Sequence, residues 1–369
     1  MKNSHTHHRF AILSVAALSL LISVGASAQT YSLGDTGLPS NYNDTVRDFA
    51  AEGLLDGENS AVFDWRDYGA VTPAKNQGGC GNCWAFAATG TLESKILIAG
   101  YSEFDLSEQF PTSCNTAMWG CGGGNMSSLT FWETEGPMME SCTGFPSADG
   151  VTRPCGDFSS CEQMQVLADG YYTVDMSSDA AVKASVSGDG PGYFRFDVHT
   201  DFFTFWNTAA AGTVYTNGAD SYEGGHAVLI IGWNDNKGAW LLKNSWGETG
   251  GPEGDGTFWM AYSGHNQNLW FGMSNLEGVE FVDSGCTCDV GCDSARTAAG
   301  TLDTVDAVCY EISDDIVGWT AWNIHGRTIE VNDVIVNQGD PLPAKIGGKY
   351  YVGFSAGDYP WAGWTYWTR

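Results

Sequence analysis

The chain has 369 residues, 43% of them hydrophobic, and 16 Lys+Arg against 44 Asp+Glu give a net charge of −28. That apolar content over this length excludes wholesale disorder and suits one large domain plus a smaller one. The negative balance excludes electrostatic binding to nucleic acid or anionic membranes; it fits a highly soluble extracellular surface, and adaptation to salty surroundings equally well.

At the N-terminus stand Lys2 and Arg9, an apolar run from Phe10 to Val24, and Ala26-Ser27-Ala28. This is the layout of a secretory signal peptide over residues 1–28, because the run is too short for the roughly 20 apolar residues that span a bilayer. The mature chain is expected to start near Gln29, to be secreted or periplasmic, and to have no membrane span. Eleven Cys in an exported chain leave one thiol over after all possible pairing. Residues 29–60 are polar and Gly/Asp/Asn-rich, and read as a short pro-segment or linker. One helical pattern there, Val46, Phe49, Ala50 and Leu54, stops at Gly57.

Residues 61–282 make the main domain. Trp84, Ala88, Leu92, Ile96 and Ala99 recur at helical spacing, which predicts a helix that begins at or beside Cys83 and ends at Gly100. His226 to Trp233 and Ala239 to Asn244 are short, continuous apolar runs of buried-strand type, so the domain is α+β. In residues 283–369 the composition shifts: Cys286, Cys288, Cys292 and Cys309 crowd together, and an aromatic-rich, strand-like tail follows. That tail reads as a small disulfide-stapled all-β module. Its Trp319, Trp322, Trp361, Trp364 and Trp367 suit stacking on a polysaccharide or surface ligand; the alternative is that they line a small core.

The chemistry is concentrated between Gln77 and Asn244. A cysteine at a helix N-terminus meets free backbone N–H groups and the positive end of the dipole, which favour the reactive thiolate. The glycines before Cys83 allow close backbone approach, and Gln77, six residues upstream, can donate to a developing oxyanion. Cys80-Gly81-Asn82-Cys83 also reads as a redox dithiol or as two structural disulfide cysteines. Beyond the signal peptide stand His199, His226, His265 and His325, and His226 alone opens an apolar strand after Gly-Gly. Asn244, at the end of the next strand, can hold its imidazole in one tautomer.

The blocks Phe63 to Arg66, Val71 to Phe86, Leu106 to Gln109, Gly120 to Gly124, Gly225 to Val228 and Lys243 to Gly247 resemble, in order, those of the papain family of cysteine peptidases. The resemblance implies a two-lobed fold, helical on one side and β-rich on the other. It implies Cys83 as nucleophile, His226 as acid/base, Asn244 as its orienter, Gln77 as oxyanion donor, and Trp246 as a shield over the His–Asn hydrogen bond. It also implies a thiolate–imidazolium pair, a Cys80–Cys121 disulfide, and substrate contacts at Gly123, Gly124 and Met126. Met126 falls where cathepsin L-like relatives place an apolar wall for the second residue before the cut. An apolar preference there follows, and the absence of His from 137–165 favours an endopeptidase over a carboxydipeptidase.

Two departures stand out. Asn82 replaces the usual Ser or Ala, and Glu248 to Gly254 replaces a Gly-Trp-Gly. Cys114, Cys142, Cys155 and Cys161 are expected to form two bridges and the last four cysteines two more, connectivity open, which leaves Cys83 as the odd thiol. A zinc site in the last cluster is the alternative; otherwise no cofactor or metal is expected. Partners are expected to be protein or peptide substrates of a monomer. The rival functions are a non-catalytic papain-like binding domain and a polysaccharide adhesin.

Overall fold

The computed structural model describes residues 31–55, 60–101, 103–164, 166–219 and 221–281, and the backbone of six short strands between 309 and 368. The expected signal peptide, the Cys286–Cys292 cluster with its zinc alternative, and the side chains of the aromatic tail lie outside the described residues. Among the described residues no helix is long and apolar enough to cross a membrane.

Helix α1, Cys83–Ile98, begins at the expected residue, and all but its last two residues are buried. A helix buried on every side lies in the middle of a structure rather than on its surface, and its buried Glu93 is paired with Lys75. Its stop is Gly100, whose φ of +88° favours glycine; Tyr101 N–H returns there to Ile96 O at 3.2 Å. Around α1 gather the short helices α2, Gln109–Cys114, and α3, Glu140–Thr143, and a 3₁₀ helix at Met126–Glu133. Trp84, Leu92, Phe110, Leu129 and Trp132 form the core of this half. Disulfides Cys80–Cys121, Cys114–Cys155 and Cys142–Cys161 tie its loops, and the last two give the connectivity left open among Cys114, Cys142, Cys155 and Cys161.

The other half is a sheet. In chain order come β1 Val62–Asp64, β2 Val166–Ala168, β3 Tyr171–Val174, helix α4 Asp179–Asp189, β4 Gly192–His199, helix α5 Thr200–Thr208, β5 Val214–Tyr215, β6 Tyr222–Asn234, β7 Ala239–Lys243, β8 Thr257–Ala261, β9 Gly272–Leu276 and β10 Val279–Phe281. The sheet runs β3-β9-β4-β6-β7-β8-β5 with β1 on β6, while β2 and β10 pair separately. Every pairing is antiparallel except β5 with β8. From Gly225 to Trp233 every residue of β6 is buried, as its unbroken apolar run predicts. Phe194, Phe196, Phe202, Trp233, Trp240 and Phe258 build an aromatic core on one face.

The helical pattern at Val46 to Leu54 does not form a helix. Val46 instead bridges to Thr173 and Phe49 is buried in the sheet's core. Arg47 lies over the Phe49 and Tyr172 rings, so tertiary contacts override the local periodicity. Beyond Phe281, Cys309–Ile312 pairs with Trp319–Trp322. Val334–Val336, Ile329–Val331, Lys349–Phe354 and Trp364–Thr368 form a four-stranded antiparallel sheet in that order.

Candidate active site

Cys83 is the free cysteine among the described residues. It opens α1, so backbone N–H groups of the first turn have no partner within the helix. The thiol accepts backbone hydrogen bonds from Trp84, from Ala227 next to His226, and from Gly34.

The antiparallel pairing of β6 with β7 brings His226 to Asn244, whose Oδ1 lies 2.8 Å from His226 Nε2. Asn244 Oδ1 also accepts the Ser245 backbone N–H at 2.8 Å. An atom that accepts from a backbone N–H must be the amide oxygen, so Nε2 carries the proton and Nδ1 is left as an acceptor. Nδ1 is buried and has no hydrogen-bond partner. The Trp246 ring stacks on the imidazole at 4.6 Å between centroids.

Gln77 is fixed by a residue the motif reading passed over. Ser245 Oγ donates to Gln77 Oε1 at 2.6 Å, and Gln77 N–H donates to Ser245 O at 2.9 Å. With its carbonyl occupied, the Gln77 amide presents Nε2 as a donor, which reaches Cys80 O at 2.8 Å and Ser32 O at 3.0 Å.

Ser32 belongs to a strap, residues 31–36, that runs across these groups. Gly34 and Asp35 N–H donate to Gly225 O at 3.2 and 3.0 Å, Gly124 N–H donates to Gly34 O at 2.9 Å, and Thr36 N–H donates to Gly124 O at 2.8 Å. The Tyr31 ring stacks on Trp246 at 4.4 Å. Gly34 must be glycine, since a Cβ there would lie 1.8 Å from Gly81 O. Beneath the strap Cys83 and His226 are fully buried. Burial, and after it the Asp35 carboxylate, pushes the thiol up to about 12, and burial holds the imidazole down at about 4. Both shifts disfavour the expected thiolate–imidazolium pair while the strap is in place. The cause is desolvation, which disfavours both charged forms.

Gly123 and Gly124 meet the strap, Gly123 facing Gly34 O and Gly124 bonding to Gly34 and Thr36, whereas Met126 is buried away from it with its methyl beside Gly272. The opposite wall was not foreseen. Arg195 on β4 sits between Ala227 of β6 and Gly272 of β9, its side chain buried. A lone Arg in the apolar run Tyr193-Phe194-Arg195-Phe196 is the sequence signal that could have marked it.

The papain family cysteine protease profile matches residues 59–273. Mouse cathepsin K is 32% identical over 216 residues, 58% of this chain and 62% of the relative. Cysteine proteinase A of Leishmania mexicana is 34% identical over 215 residues, 57% of this chain and 56% of the relative. Among solved structures, digestive procathepsin L2 from Tenebrio molitor is 29% identical with a TM-score of 0.51, over 67% of this chain and 78% of that one. Procathepsin B S9 from Trypanosoma congolense is 20% identical with a TM-score of 0.56, over 66% and 87%. These neighbours set the class: a cysteine peptidase fold of mixed helices and sheet. With more than half its length inside the family profile, the chain belongs to the papain family of cysteine proteases.

Proposed function

We propose that this chain is a secreted or periplasmic cysteine endopeptidase, active as a monomer on protein or peptide substrates. The observation that carries the reading is the polarised His226: Nε2 is committed to Asn244, Nδ1 is free, and the unpaired Cys83 takes the N–H of the next residue, Ala227. Once a substrate replaces the strap, His226 takes the Cys83 proton and the thiolate attacks the scissile carbonyl. Gln77 Nε2 donates to the oxygen that becomes negative, in the place where it now donates to Ser32 O. The C–N bond breaks as His226 protonates the leaving amine, and a thioester remains. His226 then deprotonates water, which attacks the thioester and frees the thiolate. Asn244 orients the imidazole and Trp246 covers their bond.

Residues 31–36, part of the pro-segment, keep the chain latent until they leave, and residues 283–369 act as a surface-anchoring module. Met126 lines the pocket for the residue two before the cut, where the sequence alone leads to an apolar preference worth roughly 1.5 to 3 kcal/mol. The facing wall of that pocket carries the Arg195 guanidinium, paired with Asp197. The test is digestion of a denatured protein under reducing conditions with cut sites mapped by mass spectrometry, alongside labelling by an irreversible peptidyl epoxide. Cleavage and single labelling at Cys83, both lost in Cys83→Ala, are expected; cleavage that survives Cys83→Ala refutes the assignment.

A further inference from the structure

The strap's Asp35 is buried in the cleft between Gly225 and Gly124, bridging to both. Its two carboxylate oxygens are met by two donors from one face of β4, where residues two apart point the same way. Arg195 Nε donates to Oδ1 at 2.9 Å and Tyr193 Oη to Oδ2 at 2.7 Å. Arg195 is held from behind, with Nη1 on Trp270 O and Nη2 on Asp197 Oδ1, both at 2.5 Å. Tyr193 is fully buried. The walls around this pair leave little freedom: Gly272 lies against Leu38 Cδ2, the Met126 methyl and the Arg195 stem, and Gly225 lies against Asp35 O and Arg195 Nη2.

When the strap leaves, Arg195 Nε and Tyr193 Oη lose their acceptors together. Two buried donors aimed at one point, one of them a guanidinium, reject an apolar group because its entry would leave both unpaired. A carboxylate satisfies both, with charge-assisted geometry. Asp197 balances the Arg195 charge but occupies Nη2, not the face that Asp35 uses.

We infer that Arg195 and Tyr193 make this pocket a subsite for an acidic side chain, Asp or Glu, of the substrate, and that Asp35 is its built-in occupant. This rests on the peptidase reading above and replaces the apolar preference drawn from Met126. The experiment takes full-length protein held under reducing conditions until peptide hydrolysis appears, and compares kcat/KM on matched peptides with Glu, Asp, Leu or Phe two residues before the cut.

A preference of at least about tenfold for the acidic peptides is expected, kept in part by Arg195→Lys and lost or inverted in Arg195→Leu. Should Arg195→Leu fail to fold, Tyr193→Phe decides: a several-fold fall in the acidic-to-apolar ratio supports the subsite, and an unchanged ratio overturns it. Hydrolysis that favours Leu or Phe in the wild-type protein overturns the inference and leaves the peptidase reading standing. No hydrolysis and no epoxide labelling of Cys83 overturns both.

Discussion

The two halves of the molecule are held together by different means. The helical half, residues 80–161, has one long helix, otherwise short helices and much irregular chain, and three disulfides that close its loops. The sheet half has no disulfide among its described residues and relies on a dense aromatic core, Phe194, Phe196, Phe202, Trp206, Trp233, Trp240 and Phe258. Covalent closure acts mainly on the unfolded chain, whereas apolar packing acts on the folded one. Cys83 comes from the first half and His226 from the second, so the proposed catalytic pair joins a stapled partner to a packed one.

Substitutions should separate the two modes. Trp233 is fully buried, stacks on Phe63 at 4.7 Å and donates to Ser60 O at 3.0 Å. Trp233→Ala should cost up to about 5 kcal/mol, measured by denaturant unfolding. Removing Cys114–Cys155 as a double Ala variant should cost about 4 kcal/mol from the sequence separation of 41 alone; a loss below about 1 kcal/mol would show that packing holds this half as well.

The boundary should show itself through pH. His226 is pushed down to about 4 by burial, from an ordinary 6.5. The unfolded chain binds the proton first, so the stability tied to neutral His226 is fully present above about pH 6.5 and is lost as pH falls towards 4, in all about 3 kcal/mol. Glu140, pushed up to about 7 by burial, titrates in the same window with the opposite sign. The observable is therefore the difference between wild type and His226→Gln: the variant should lose less melting temperature between pH 7 and 4, and parallel curves would contradict the assignment. The smallest effect is expected from Ser245→Ala, about 1 to 2 kcal/mol in transition-state stabilisation read as a lower kcat. It frees Gln77 to turn its amide without touching substrate.

How much of this the sequence foretold depended on whether a residue's environment is local. The start and stop of α1 were legible at Cys83 and Gly100, because a helix end is set by its own few residues. The meeting of His226 with Asn244 was legible from two apolar runs and a short turn. Arg195 was not, because its partners come from β6, β9 and the strap, far apart in the chain. Nor was the fate of Val46 to Leu54, where a helical period is overruled by a bridge to Thr173.

Residues 244–246 hold more than the imidazole. Asn244 meets His226, Ser245 grips Gln77 through side chain and backbone, and Asn76 bridges to Trp246. The segment just before the helical half is thereby sewn to the sheet half at the back of the cleft. Such a seam does not let the halves swing apart like jaws. For the proposed peptidase, traffic through the site is then lengthwise: the strap peels out along the groove that a substrate enters, and the groove itself stays put.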